Sequence, residues 1–358
     1  MKYTGIELIK NLCDVFGPSG CEDKVAQFIL EQIQGDCDSV TTDRAGNIIA
    51  KVSGRGLEYN EDEPRKVMIS AHMDEVGVMI SDITEDGYLK FATVGGITPA
   101  ALIGKRVVIM NEKYKLDGVI ASRTIHTQTA EERGRMQSVS EMHIDIGADS
   151  EQEAREYIDI GDVGVFAPET VYFGDEDKLI RSKALDDRLG CAMGIEIMRR
   201  LYHSTADLEY DVYFAFTRCE EIGISSALVA TYECRPDIAI IIESTAVADI
   251  AGVPESSNVA KLGQGGVISF MDRSTIYDKR LVDIALQMAE NKGIKAQIKR
   301  FISGGNDAGG IQRTAEGVRV LAVSAPSRYI HSASNVIHTD DYFAMLELIH
   351  ALVADGKI

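Results

Sequence analysis

Seven acidic and imidazole side chains, each on its own short motif, could do hydrolytic chemistry together. They are His72 and Asp74 in AHMDE, Asp186 in KALDDRLG, Glu220 and Glu221 in TRCEEIG, Glu243 in IIIESTA and His331 in YIHSAS. A two-metal hydrolytic site needs two imidazoles, enough carboxylates to hold two divalent ions, and a spare carboxylate to move protons. No single motif is specific. The whole set, in this order and with members at or near strand ends, is.

Each position has an ordinary reading beside the chemical one. His72 and Asp74 are two apart, so on a strand both point to one face and Asp74 can take the second N–H of the imidazole; yet HxD at a strand end is common by chance. The pair Asp186 and Asp187 opens a helix, where an aspartate is an ordinary cap. We assign bridging of two cations to Asp186 and a supporting part to Asp187. Glu220 and Glu221 end an apolar strand and start in opposite directions, so one can bind a cation while the other stays free. Two carboxylates held close repel, which makes one a better proton acceptor near neutral pH. Glu243 ends the run AIII and must reach solvent or a cation, because burying it alone is costly. His331 follows the strand VRVLAVSAP. His126 falls in a glycine-punctuated β region and could line a site from there, whereas His203, His338 and His350 read as helix or surface positions. SGGNDAGG lacks a Walker lysine; it reads as a tight loop near the site, with Asp307 supporting.

The elements that must position these groups form an α/β pattern interrupted by β structure. Helices are expected near 4–16 and 22–35, separated by a Gly-Pro-Ser-Gly turn, followed by a strand in KVMISAH. Residues 76–178 read as short alternating strands broken by glycine, a small β-barrel-like insertion. The α/β texture returns at residue 179 with the helix ALDDRLGCAMGIEIMRRLYH, the strands DVYFAFTRC, PDIAIIIES and VRVLAVSAP, a helix closed by Gly293, and a final helix DYFAMLELIHALVA. Two domains are expected: residues 1–75 with 179–358, and residues 76–178.

Composition narrows the function class. The 358 residues are 45% hydrophobic and 26% charged, as in a globular protein, with 37 basic against 56 acidic residues and a net charge of −19. That charge excludes nucleic acid and anionic membrane surfaces as partners. No apolar run approaches the roughly 20 residues of a membrane span. The start reads as an amphipathic helix rather than a signal peptide, and the six cysteines as reduced thiols of a cytoplasmic protein. Cys219 reads as a small buried filler on a strand.

The motifs AHMDEVG, KALDDRLG, CEEIG, GGNDAGG and RYIHS, with FGPSGCE, DRAGNIIA and VGGITPAALIGKRV, resemble the M42 family of metallo-aminopeptidases nearly end to end. This family takes in glutamyl aminopeptidases and the tetrahedral TET peptidases, and some members are named endoglucanases. The resemblance implies a zinc-peptidase-like α/β catalytic domain, a mixed sheet flanked by helices, with an inserted β-barrel-like dimerisation domain. It implies two divalent ions, zinc or cobalt, bridged by Asp186, often with a cis peptide to the next residue. It makes His72, Glu221 and His331 ligands, Asp74 the orienting partner of His72, and Glu220 the general base. It implies short peptides as substrates, homodimers and homododecamers. Two departures stand out: Glu243 where many members carry aspartate as a ligand, and Asn306 where threonine is frequent. The competing readings are a dimetal deacylase or carboxypeptidase, an endo-glycosidase, and a non-enzymatic binding module.

Overall fold

The computed structural model describes residues 1–54, 66–205, 208–223, 225–355 and 358. Apolar residues spaced at helical intervals form two amphipathic helices, α1 (Gly5–Asp14) and α2 (Asp23–Ile33). They bury Leu8, Ile9 and Leu12, and Val25, Ile29 and Ile33. The hairpin β1 (Ser39–Thr42) and β2 (Ile48–Val52) follows, its turn held by Asp43, which accepts from the amides of Ala45 and Asn47. Strand β3 (Lys66–His72) is buried from its second residue to its last, as suits a strand covered on both faces.

The chain then forms a closed barrel from β4 (Gly77–Ile83), β5 (Leu89–Val94), β6 (Arg106–Met110), β7 (Lys115–Ala121), β8 (His143–Asp145) and β9 (Val163–Phe166), in the order β4-β5-β8-β7-β6-β9. Its apolar interior includes Val78, Ile80, Leu89, Ile109, Ile120 and Ile144 and is separate from the main core. Closure leaves no free edge within the barrel. A single helical turn, Glu151–Ala154, lies between β8 and β9.

Strands β10 (Val171–Phe173) and β11 (Leu179–Ser182) lead back to the main body. Helix α3 (Leu185–Tyr202) is buried on nearly every side, packing on α1 and β3. Asp186 and Asp187 have non-helical backbone, and the peptide between them is cis, so regular helix begins only after Asp187. Next come β12 (Asp211–Thr217), helix α4 (Ser225–Cys234), β13 (Ile238–Ala246) and β14 (Gly266–Ile268). Helix α5 (Lys279–Lys292) is capped by the Asp278 side chain and closed by Gly293 at φ +65°. Strands β15 (Ala296–Ile298), β16 (Arg319–Ser327) and β17 (Asn335–His338) and helix α6 (Thr339–Ala354) complete the chain. The main sheet runs β1-β2-β12-β3-β13-β16-β14-β15, and β17 joins β10 and β11 in a smaller sheet. The four central strands β12, β3, β13 and β16 are parallel, while both flanks carry antiparallel pairs.

Candidate active site

In open α/β sheets, ligands bind outside the carboxyl ends of the parallel strands. Here four central strands bring the chemically capable residues to that edge. His72 is the last residue of β3, where it pairs with Thr217, the last of β12. Glu220 and Glu221 follow β12 in a one-turn 3-10 helix, Glu243 sits on β13, and His331 follows β16. Asp186 enters at the irregular start of α3. Glu243 ends the apolar run as expected, although β13 continues to Ala246.

Asp74 organises one side of the site. Its carboxylate accepts from the Ser19 hydroxyl at 2.6 Å and from the amides of Glu220 and Glu221 at 3.0 and 3.1 Å. Its Oδ1 lies 3.3 Å from His72 Nδ1. Burial pushes the Asp74 carboxyl up, but His72 and these donors outweigh it and hold it below the usual range. One buried carboxylate therefore orients the histidine and pins the two-glutamate turn. The far ring nitrogen, His72 Nε2, lies 3.4 Å from Asp186 Oδ1.

His331 approaches Asp186 from the other side. Its Nε2 is 3.3 Å from Asp186 Oδ2 and 3.2 Å from Glu221 Oε2. Its Nδ1 donates to the Gly96 carbonyl at 3.1 Å, so a loop of the barrel fixes the ring orientation. The neighbouring Gly95 is held at φ +84°, and a Cβ there would stand 2.7 Å from Val76 and 3.3 Å from the Glu221 side chain. A side chain at that position would collide with the site's support.

Two triads of candidate ligands result, His72–Asp186–Glu243 and Asp186–Glu221–His331, with ligand atoms within 4.8 Å of one another in each. Asp186 belongs to both, one oxygen turned to each histidine. The extra methylene of Glu243 does not take its carboxylate out of the first triad.

The charge balance asks for cations. Burial first, and neighbouring carboxylates next, push Glu220 and Glu221 each up to about 8, with the imidazoles opposing. Burial likewise drives Glu243 well above the carboxylate range and Asp307 up to about 6. Burial opposes charge on His331 too, but Asp186 and Glu221 raise it to about 9. Without a cation, the site is thus built to retain protons. Buried polar atoms also lack hydrogen-bond partners here: Asp186 Oδ1 and Glu221 Oε1. Such atoms are normally satisfied, and a set of nitrogen and carboxylate donors around them fits divalent cations.

The supporting residues fall into place differently. Asp187 is fully buried and caps α3, accepting from the Gly190 amide at 3.2 Å. Asp307 is buried and accepts from the Thr217 hydroxyl at 2.7 Å. His126 is exposed on a short turn of the barrel region and is not among the residues lining the candidate cavity. Cys219 is not a buried filler on a strand. It is half-buried beyond the end of β12, at φ +58°, because the chain must turn sharply there to bring the next two amides onto Asp74. Its thiol is pushed up to about 12 by burial and then by Glu22. A cavity of about 210 Å³ opens on Asp186, Glu220, Glu221, Glu243 and His331, and is also lined by Asp272, Lys299 and the loop 303–306. Sequence reading did not single out Ser19, Gly96 or Lys299. The GPSG and VGG motifs were the available signals for the first two; Lys299 carried none.

Comparison with known proteins places the chain in a family. The profile of the M42 glutamyl aminopeptidase family matches residues 46–348. A lysyl aminopeptidase of Pyrococcus furiosus is 30% identical over 98% of this chain and 97% of its own. The crystal structure of a TET aminopeptidase from Thaumarchaeota archaeon SCGC AB-539-E09 superposes with a TM-score of 0.91 at 30% identity, covering 98% of this chain and 95% of that one. The TET1 peptidase of Pyrococcus horikoshii, which can assemble into a tetrahedron or a large octahedral shell, superposes with a TM-score of 0.84 at 34% identity, covering 97% of this chain and 98% of that one. The chain belongs to the M42 glutamyl aminopeptidase family and is a peptide-bond hydrolase.

Proposed function

We propose that this enzyme removes N-terminal residues from short peptides at a dinuclear centre of zinc or cobalt. His72, Asp186 and Glu243 would hold one ion, and Asp186, Glu221 and His331 the other. The observation that carries this reading is the pair of triads sharing Asp186. When bound, the ions supply Lewis acidity at the scissile carbonyl and a lowered pKa for the attacking water.

The chain's own residues do the rest. Glu220 stands outside both triads yet lines the cavity, and its carboxylate is pushed up to about 8, into the range of an effective proton acceptor near neutrality. It takes the proton of the attacking water and returns it to the leaving amine. Asp74 keeps His72 turned to the site and fixes the Glu220–Glu221 turn through two amides. Asp307 and Asp187 support this arrangement from behind.

We further infer that residues 1–75 with 179–358 form the catalytic unit, that 76–178 form a dimerisation unit, and that dimers assemble into dodecamers. The kinship with the shell-forming P. horikoshii peptidase supports self-assembly. Free cysteines and the acidic balance fit a cytoplasmic setting. Among the described residues, no helix is long and apolar enough to cross a membrane.

The deciding experiment strips the metal, then assays a panel of aminoacyl chromogenic substrates with and without added zinc or cobalt, beside N-acetylated controls. Metal-dependent cleavage of the free-amine substrates alone is expected. Equal cleavage of acetylated substrates would point to a deacylase and overturn the reading. Light scattering of the purified protein tests the assembly.

A further inference from the structure

The turn that carries Glu220 is held from two sides. Four consecutive backbone amides, those of Arg218, Cys219, Glu220 and Glu221, donate at 3.0–3.1 Å to side chains of three distant segments: Asn47, Glu22 and, twice, Asp74. Asp74 belongs to the site itself. Glu22 and Asn47 are not among the residues lining its cavity, yet both are fully buried.

The backbone they hold is strained. Cys219 sits at φ +58°, in the left-handed region that a residue with a Cβ enters at a cost of about 1 kcal/mol or more. Such backbone persists only where its surroundings over-determine it. One oxygen of Glu22 accepts from the amides of Gly20 and Cys219 at 2.9 and 3.0 Å, and the other from Arg218 Nε at 2.6 Å. The Cys219 thiol lies 3.5 Å from the first oxygen. The Arg218 guanidinium also donates to Asp23 and to the Gly20 carbonyl at 2.9 and 3.3 Å. Gly46, at φ +87°, leaves room for it, since a Cβ there would stand 2.8 Å from Arg218 Cδ. Asn47 accepts from the amide before the kink and is itself anchored, donating to Asp43 and to the Ser226 carbonyl at 2.7 and 2.8 Å. Of these groups, Glu22 grips both the kinked amide and the side chain beside it.

We propose that Glu22 is a positioning residue for the reaction, holding the Arg218–Cys219 kink so that the next residue, Glu220, is aimed at the attacking water. This rests on the general-base reading above and deepens it. Because Glu22 acts through backbone outside the cavity, its loss should slow the chemical step and leave metal and substrate binding in place. Misplacing a reacting group by about 1 Å is worth on the order of 10²-fold in rate.

The test is a double-mutant cycle on the metal-supplied enzyme, with the free-amine substrate that it cleaves fastest. Glu22→Gln keeps the shape but turns an NH₂ donor against either Arg218 or the two amides. It should lower kcat about 10- to 100-fold, with KM and metal content per chain within about twofold of the wild type. In the Glu220→Gln background the same change should lower kcat by less than about twofold, because the base that it aims is gone. A residue with a purely structural role would slow both backgrounds alike. Glu22→Asp keeps the charge opposite Arg218, and with it the fold, but withdraws the carboxylate from the Cys219 amide. It should lower kcat about 10-fold, and it carries the cycle if Glu22→Gln does not fold. Asp23→Asn removes an exposed partner of the same guanidinium and should leave kcat within about twofold.

An unchanged kcat in a folded Glu22→Gln or Glu22→Asp protein overturns the proposal, as does a fall that persists in the Glu220→Gln background. A fall that comes with lost metal or a raised KM also overturns it, and assigns Glu22 to the support of Glu221 instead. Cleavage of N-acetylated substrates alone sinks the aminopeptidase reading, and the same cycle on those substrates then decides the proposal by itself. A wild type that turns over neither kind of substrate sinks both.

Discussion

Two buried charge clusters lie back to back in this molecule and are balanced in opposite ways. Behind the site, the Glu75 carboxylate is met by Lys183 Nζ at 2.5 and 2.8 Å and by Arg188 Nη2 at 3.3 Å. Arg188 also donates to the carbonyls of Leu12, Val15 and Gly17 at 2.7–3.1 Å. These three side chains are at most 2% exposed. In front, among the described residues, Asp186, Glu220, Glu221 and Glu243 line one cavity with the imidazole of His331 and the ammonium of Lys299, and Asp186 and Glu243 form a triad with the imidazole of His72. The same chain segments serve both clusters: Asp74 faces forward and Glu75 back, and Asp186 stands between Lys183 and Arg188 in sequence. Buried charge that is compensated from within ties elements together. Buried charge left uncompensated asks for ions from outside, and marks the place where chemistry is done.

The largest expected effect lies in front. Asp186→Asn removes the carboxylate common to both triads. It should lower kcat/KM by about three orders of magnitude or more and reduce the metal content per chain. Glu220→Gln should lower kcat by about 10²- to 10⁴-fold while the metal content stays. Elemental analysis beside kinetics separates the two roles. Retention of both ions by Asp186→Asn, or their loss from Glu220→Gln, would break the proposed division of labour.

The rear cluster should respond in stability. Glu75→Gln leaves two buried cations without their anion and should cost about 3–5 kcal/mol in denaturant unfolding. The cost should appear with and without metal, because the network touches neither triad. A loss under about 1 kcal/mol would mean that water or backbone carbonyls already compensate these cations.

The contrast also has a pH signature. Glu220 and Glu221 are raised to about 8 in the folded chain and His331 to about 9. A raised folded pKa gives stability that is fully present below the unfolded value and lost as pH rises through the folded value. The metal-stripped protein should therefore lose stability from about pH 5 to pH 9, by about 1.4 kcal/mol per pH unit for each extra proton held. Added metal displaces those protons and should flatten the curve. Thermal melts across this range check it; a flat curve in the stripped protein would show that the front cluster is already balanced.

Much of this arrangement was legible because burial on both faces writes near-continuous apolar runs. KVMISAH, DVYFAFT and IAIIIESTA stand out for that reason, and the ends of such strands are where ligands collect. The barrel was legible from alternation and glycine punctuation. Strands of three residues, such as β14 and β15, bury too little to leave a pattern, so the antiparallel and edge strands beyond β16 went unread. Contacts between distant segments were equally hidden: the Gly96 carbonyl meets His331 across 235 positions, and nothing in either motif encodes that. Cys219 was misplaced because an apolar run shows where a strand is but not where it must break to deliver two amides. Lys299 was missed because one lysine in KAQIKR looks like any solvated charge; only the fold closes a cavity over it.

The smallest expected effect sits where the two clusters share a wall. The turn Gly17–Gly20 gives its Gly17 carbonyl to Arg188 behind and its Ser19 hydroxyl to Asp74 in front. Ser19→Ala removes one of three donors to Asp74 and leaves the amides of Glu220 and Glu221 in place. Asp74 meets the candidate ligands through the His72 ring and the Glu221 amide, so the loss acts on orientation alone. Metal affinity or activity should fall by roughly 10-fold, the low end for partners of a metal-binding histidine. Stability should change by only about 1 kcal/mol, the net worth of one hydrogen bond. Ser19→Thr keeps the hydroxyl and should recover most of the activity if the turn admits the added methyl. A Ser19→Ala enzyme with unchanged metal affinity and activity would mean that the two amides alone hold Asp74, and that the front cluster needs no support from the turn that braces the rear.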